Sequence, residues 1–511
     1  MRRLGAVRGA MNHRAPWIAA LVTLALHLAA NANYGFFRDE LYFIICGFSP
    51  QWGYVDQPPV VPLLAALTQL GGHSLFLLRA VPAVCAAAGA FATVLLVMEF
   101  GGGAFAQGLA TVAYLGAPVL IAFGAKVSPD EIGLALWPSI ALWLVRLVRG
   151  ADPRWWIAVG AAGGIACESK YSALFFFVAL AVGLALTPQR RILRSRWALV
   201  GIALGALIVL PNFLWQAGNG FPMWELLEAG QHGKNVVVGP LLYLVLEAAI
   251  TNLFLAPLWI IGVVCLLLKP QLRFLGYAYL VLIVEMIVLH GKHYYPADVY
   301  PIVIAAGAVP VAAWTARFAV LRVAILAYAV VFAAIELPVE LPILSTSTLV
   351  TYEDTVLWRL SPVPRGSLRT EHGDVPAIGS DYADMHGWPE FATAARHAYD
   401  ALPPAERART VIFALDYGQA SALRFFEPTL PVISGHNQYW LWGYGNASGQ
   451  SVLELGGSCW KDERYFAHAE RALHYVTALP VMPYENNLTF MHCSGLRVPV
   501  RTLWNDSKNY I

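Results

Sequence analysis

Three features of the 511-residue sequence predict a polytopic all-α membrane protein of about eleven transmembrane helices, followed by a water-soluble α/β domain over residues 346–511. The first is composition: 58% of the residues are hydrophobic and only 13% charged, with a mean hydropathy of +0.57, whereas soluble domains carry about 25% charged residues. The second is where the deficit falls. Before residue 345 long apolar runs recur between short polar breaks, and a run of about 20 such residues is what a bilayer-crossing helix needs. The third is the change at residue 346, after which charged, Pro and Gly residues rise and apolar runs shorten to strand length. The net charge of +2, without a basic stripe, excludes a nucleic-acid partner. No internal repeat is present.

Taken in order, the spans predicted are 16–33, 77–99, 104–124, 132–149, 154–167, 171–187, 197–216, 241–268, 272–290, 297–316 and 321–341. The first reads as a retained signal anchor rather than a cleaved signal peptide. The fifth and sixth share one apolar stretch. Arg154 precedes that stretch and Arg190, Arg191, Arg194 and Arg196 follow it, so both of its ends belong in the cytoplasm and the stretch must cross and return. The same assignment puts Arg2, Arg3, Arg8, Arg14, Arg146, Arg149, Lys269, Arg273, Arg317 and Arg322 inside. The outer side receives Arg38, Arg79, Lys126, Lys170, Lys234 and Lys292. The N-terminus is then cytoplasmic and the C-terminal domain lies outside. Domain boundaries follow: a transmembrane domain over 1–345 with a long first outer loop at 34–79, and a soluble extracytoplasmic domain over 346–511.

The four cysteines of the membrane half, Cys46, Cys85, Cys167 and Cys265, are scattered as small apolar fillers. Cys459 and Cys493 fall in the outer domain, where an oxidising compartment permits a disulfide between them.

The outer loops hold polar residues that plain connections do not need. The first carries Asp39-Glu40 and then Asp56-Gln57-Pro58-Pro59 among aromatics. The second carries Asp130-Glu131, the third Lys170-Tyr171, and the fifth Lys292-His293-Tyr294-Tyr295. Ionisable groups at membrane depth are functional-site candidates, and acids on early loops with cations on later ones suit an anion held beside a general base. Asp39-Glu40 is the sharpest pair, because a carboxylate in a partly dry cleft accepts a proton from an attacking hydroxyl. The same pair is also good helix-capping chemistry. Lys292 and His293 would neutralise a phosphate while Tyr294 or Tyr295 donates a hydroxyl, or the cluster is an interfacial anchor with a snorkelling lysine. No His-rich or Asp-x-Asp cluster demands a metal; a divalent ion is compatible but not required.

Phe37-Arg-Asp39-Glu40-Leu-Tyr42, Gly53-Tyr-Val-Asp56-Gln57-Pro58-Pro59, Ser128-Pro-Asp130-Glu131 and Gly291-Lys292-His293-Tyr294-Tyr295 occur in this order. Together they resemble the bacterial branch of the GT-C membrane glycosyltransferases, related to the protein O-mannosyltransferases and the lipid A aminoarabinose transferase, over residues 30–315. The resemblance implies a GT-C fold in a bacterial inner membrane. It also implies transfer of one sugar, with inversion, from a polyprenyl-phosphate carrier to an acceptor hydroxyl on a glycolipid, polysaccharide or protein at the outer face. Asp39 takes the place of the catalytic aspartate, with Glu40 beside it. Lys292 and the Tyr294-Tyr295 pair match the late loop that faces the lipid phosphate, and Asp130-Glu131 match the second acidic loop. Lys170 stands where the family often has a lysine. Asp56-Gln57 fall where the aminoarabinose transferase has an acid followed by lysine, so Gln57 is a departure that removes a charge. Such chemistry needs no second carboxylic acid, since a leaving phosphate needs no proton.

The rival reading is a transporter or flippase, whose charges would lie in mid-span on broken helices; Glu99 ends a span, while Glu247 and Glu285 are the residues that would test it. In the outer domain, 410–415, 431–434, 451–455 and 488–492 read as strands, and 388–402 and 416–426 as helices. His436 to Tyr444 and Asp381 to His386 mix aromatic and polar residues, suiting either a sugar cleft or packing of a small domain. Asn446, Asn487 and Asn505 begin Asn-x-Ser/Thr patterns, which the bacterial resemblance makes coincidental.

Overall fold

The computed structural model describes residues 12–233, 238–360, 373–459 and 465–510; Arg2, Arg3, Arg8 and Lys234, used in the topology reading, lie outside the described residues. The chain forms two compact units. One is Met1–Asn31, Phe76–Trp215 and Asn235–Ile343; the other is Ala32–Leu75, Gln216–Lys234 and Leu344–Ile511.

In the first unit the apolar runs are helices. Among the described residues five are long and apolar enough to cross a membrane: Leu75–Glu99, Glu131–Val148, Arg196–Gly218, Ala297–Trp314 and Ala319–Glu340. Their exposure differs greatly. Two thirds of the apolar window of Glu131–Val148 is buried in protein, against 6% of that of Ala319–Glu340. A helix that is apolar all round and yet uncovered has a lipid-facing surface. Trp155–Ser169 and Ala173–Ala185 are separate helices, with Lys170, Tyr171 and Ser172 between them.

Two of the expected spans are not straight. The stretch 104–124 is Ala104–Leu115 followed by Pro118–Ala125, bent by 65°. Pro118 excludes the helical conformation at the residue before it, and Ala117 is accordingly extended, at φ −91° and ψ 106°. The stretch 241–268 is not one helix but two, Pro240–Ile250 and Ala256–Leu268. The break centres on Asn252, which is fully buried in the left-handed region at φ +71°. Its amide Nδ2 donates to the carbonyl of Gly116 at 3.0 Å, and to that of Phe332 at 3.3 Å. The carbonyl freed by one bend is thus satisfied by the side chain that marks the other, as non-helical backbone at membrane depth requires. Helices Ala256–Leu268 and Tyr300–Trp314 meet backbone to backbone. A Cβ on Gly262 would lie 1.9 Å from the Val303 carbonyl, and one on Gly307 the same distance from that of Leu258; this is the small-residue contact typical of membrane helix pairs.

The second unit joins residues 32–75 to the C-terminal third. Helix Arg38–Phe48 packs on Val60–Leu67 and on helix Tyr417–Phe426. A mixed five-stranded sheet forms its other part: β1 (Thr410–Ala414), β2 (Val432–Ser434), β3 (Ser451–Leu455), β4 (Phe466–Tyr475) and β5 (Leu488–Leu496), in the order β2-β1-β3-β5-β4. β1 runs parallel to β2 and β3, while β5 is antiparallel to β3 and β4. The expected strands and both expected helices are present. β4 was not expected. Its sequence, Ala-His-Ala-Glu-Arg-Ala in the middle, consists largely of helix formers with no alternation to betray a strand; it is an edge strand, exposed through its middle, buried at Phe466 and Tyr475, and held extended by β5. Cys459 and Cys493 are joined by a disulfide that ties the β3–β4 connection to β5.

Candidate active site

The candidate residues fall into two clusters, one in each unit. In the second unit, helix Arg38–Phe48 begins where Phe37 is extended, at φ −72° and ψ 148°. Glu40, in the first turn, is fully buried, and its Oε2 accepts the Phe37 N–H at 2.8 Å, which is the return half of a capping box. Asp39 points elsewhere. Its side chain is 32% exposed, and Oδ1 accepts a hydrogen bond from the Tyr417 hydroxyl at 2.7 Å. Arg38 lies behind it: Nη1 donates to Tyr484 Oη at 2.9 Å, Nη2 is 3.5 Å from Asp384 Oδ2, and the guanidinium sits 5.3 Å from the Tyr417 ring centre. Burial pushes the Asp384 carboxyl up to about 7 against the pull of Arg38.

Asp56 lies in the loop between the two loop helices. Tyr42 Oη donates to its Oδ1 at 2.9 Å and Asn437 Nδ2 lies 3.4 Å from its Oδ2. Loss of hydration pushes this carboxyl up to about 7, opposed by the Tyr42 hydrogen bond. The neighbouring backbone is pinned from the C-terminal third, since the Val55 N–H donates to Gln438 Oε1 at 3.0 Å. Gln57 is buried, and its carbonyl accepts the Tyr54 N–H at 3.0 Å in a tight turn.

In the first unit, the loops that carry Asp130, Lys170 and Lys292 converge. Glu131 repeats the part played by Glu40: it is fully buried, and its Oε2 accepts the Ser128 N–H at 2.8 Å at the start of helix Glu131–Val148. Asp130 is ion-paired with Lys170. The Lys170 ammonium stands 4.5 Å from the ring centre of Tyr295 and 5.2 Å from that of Tyr294, and Lys292 is 5.9 Å from Tyr294. His293 meets Tyr294 edge-on at 5.9 Å; burial, then the Lys292 charge, hold its imidazole below the usual value. Asp298, two residues beyond the Lys292–Pro296 motif, packs its carboxylate against Gly133, where a Cβ would lie 1.8 Å from Oδ2. Among the described residues no group of three metal-binding side chains is gathered.

Thus Asp39 and Asp56 share one cluster, and Asp130, Lys170, Lys292, His293, Tyr294 and Tyr295 the other, while Glu40 and Glu131 serve as caps. Sequence reasoning did not single out Tyr417, Tyr484 or Asp298. Tyr417 had a local signal, since it opens the helix after β1, and Asp298 follows closely on a motif that ended too early.

A family model described as dolichyl-phosphate-mannose-protein mannosyltransferase matches residues 56–215, a stretch that takes in Asp56, Asp130 and Lys170. The lipid A galacturonosyltransferase RgtD of Rhizobium johnstonii is 25% identical over 182 residues. That match covers 35% of this chain and spans 38% of the length of the curated relative. ArnT from Cupriavidus metallidurans, in a crystal structure bound to undecaprenyl phosphate, superposes with a TM-score of 0.59 over 94% of this chain and 98% of its own, at 15% identity. Residues 56–215 are thus similar to a mannosyltransferase family, and the fold as a whole is similar to that of ArnT. The apo form of the same ArnT gives a TM-score of 0.57 at 14% identity, over 95% of this chain and 100% of its own. The likeness in fold therefore covers most of both units of this chain.

Proposed function

We propose that this chain moves a single sugar from a polyprenyl-phosphate donor to an acceptor hydroxyl of a glycolipid, polysaccharide or protein on the outer face of a bacterial inner membrane. Residues 1–345 act as the transferase domain and 346–511 lie outside. The acceptor oxygen attacks the anomeric carbon as the bond from that carbon to the phosphate oxygen breaks. The phosphate leaves with the bonding electron pair, Asp39 takes the acceptor's proton, and the carbon inverts. Within the first unit, the charges of Lys170 and Lys292 and the hydroxyls of Tyr294 and Tyr295 suit binding of a lipid phosphate. The observation that carries this reading is the state of Asp39. It stands at a helix start, accepts from a tyrosine through one oxygen and is partly open to solvent, whereas its neighbour Glu40 is consumed by capping. The ArnT likeness, in a protein solved with undecaprenyl phosphate, supports the donor class.

The test is sugar transfer from a radiolabelled mixed polyprenyl-phosphate-sugar pool to membrane acceptors. Wild type is expected to transfer, and Asp39→Asn to lose at least a hundredfold. Equal transfer by both would remove Asp39 from the role of base. A second reading, transport of a lipid-linked or small polar substrate, draws on the two broken spans and on fully buried Glu247, whose Oε2 lies 2.5 Å from Tyr300 Oη. Substrate moved across proteoliposomes without any sugar transferred would favour it.

A further inference from the structure

We propose that Tyr417, supplied by the C-terminal sheet unit, is a positioning residue for Asp39: its hydroxyl sets the orientation in which the carboxylate takes the acceptor's proton. This rests on the reading of Asp39 as the base.

The geometry leaves Tyr417 little freedom. Asp416 caps its helix, with Oδ1 accepting the N–H groups of Gly418 at 2.6 Å and Gln419 at 2.9 Å. Gln419 fastens the same turn on both sides, accepting from the Leu415 N–H at 3.0 Å and donating to Glu485 at 3.0 Å. The Tyr417 ring is held between Tyr42, 4.7 Å away, and His436, 5.0 Å away. Arg38 closes the bracket from a third side and is itself held by Tyr484 and Asp384. Gly418 is where Arg38 passes, because a Cβ there would lie 2.4 Å from the arginine's Cγ.

A phenol so constrained can do one thing for Asp39. It occupies Oδ1 and leaves Oδ2, which makes no hydrogen bond among the described residues, to take the proton. During transfer the acceptor O–H bond breaks as the new bond to the anomeric carbon forms. The proton goes to Oδ2, and the phosphate carries away the electron pair of the bond it loses. Tyr417 keeps its own proton throughout. Holding an unbound base in one rotamer contributes to rate and not to donor affinity, so its loss belongs in kcat.

The experiment uses the full-length protein in proteoliposomes and the same radiolabelled donor pool, with Asp39→Asn run in parallel. Tyr417→Phe is expected to lower kcat ten- to a hundredfold while the apparent KM for the pool stays within twofold. Replacement of Tyr417 by 3,5-difluorotyrosine keeps the shape and the hydrogen bond, and is expected to hold kcat within threefold of wild type. An unchanged kcat in Tyr417→Phe would overturn the inference, and 4-fluorophenylalanine at the same position, which keeps the shape without a donor, decides the matter if the Phe variant does not fold. Full activity of Asp39→Asn would instead overturn the base reading on which the inference stands. A normal Tyr417→Phe beside an inactive Asp39→Asn would sink the positioning role alone.

Discussion

Asp39 and Glu40 are neighbours in the chain, yet one is a third exposed and the other is folded beneath its own helix start. Their substitutions should therefore separate. Gln can accept the Phe37 N–H as Glu does, so Glu40→Gln is expected to keep kcat within about threefold of wild type, while Glu40→Ala should lose about 1 kcal/mol of stability with the cap; chemical denaturation of the two variants measures this. Asp56 yields a pH prediction. Its folded value is raised to about 7 from an ordinary value near 4, so between those two pH values the folded state holds a proton that the unfolded state has released. Stability then falls as pH rises through that window and is level above it. Asp56→Asn should accordingly melt higher than wild type at pH 8 and no higher at pH 4, by thermal unfolding in detergent. At this scale the sequence motifs pointed to both carboxylates and to the Lys-Tyr cluster, because each is a local run of unusual residues. The partners of Asp39 left no such trace, since a contact between residues 378 positions apart has no local pattern to read.

Among the elements, apolar length placed helices at the expected runs but could not report their breaks. The bend before Pro118 was open to the pre-proline rule. The break at Asn252 was not, because it depends on a left-handed residue whose side chain finds Gly116 and Phe332 from elsewhere in the chain. Replacing Asn252 by Leu should strand the Gly116 carbonyl at a cost of about 1–3 kcal/mol, measured as a fall in detergent melting temperature. Gly307→Ala should cost a similar amount by overpacking, since its new Cβ would run into the Leu258 carbonyl; an unchanged melting temperature would show that the helix pair can part freely. β4 shows the limit from the other direction. Its helix-forming composition is overridden by the ladder to β5, and intrinsic propensity is too weak to resist that pairing.

For the molecule as a whole, charge asymmetry predicts a cytoplasmic N-terminus and an external sheet unit. Single cysteines placed at Asn12 and Pro153 should resist a membrane-impermeant maleimide in intact cells. One at Ser448 should react, and the reverse pattern would invert the orientation. The division of the chain into two units was less legible than its membrane character. Residues 32–75 belong by contact with the C-terminal third, although apolar patterning alone reads them as a loop between spans.

The hydrogen bond from Tyr417 to Asp39 has a consequence in time. Ribosomes add about 5–20 residues per second, so the 378 positions between the two residues represent roughly 20–75 seconds of translation. Throughout that interval the aspartate is already made while its tyrosine is not. On the reading proposed above, a nascent chain would hold Asp39 without its orienting partner until helix Tyr417–Phe426 has been made and has packed on helix Arg38–Phe48.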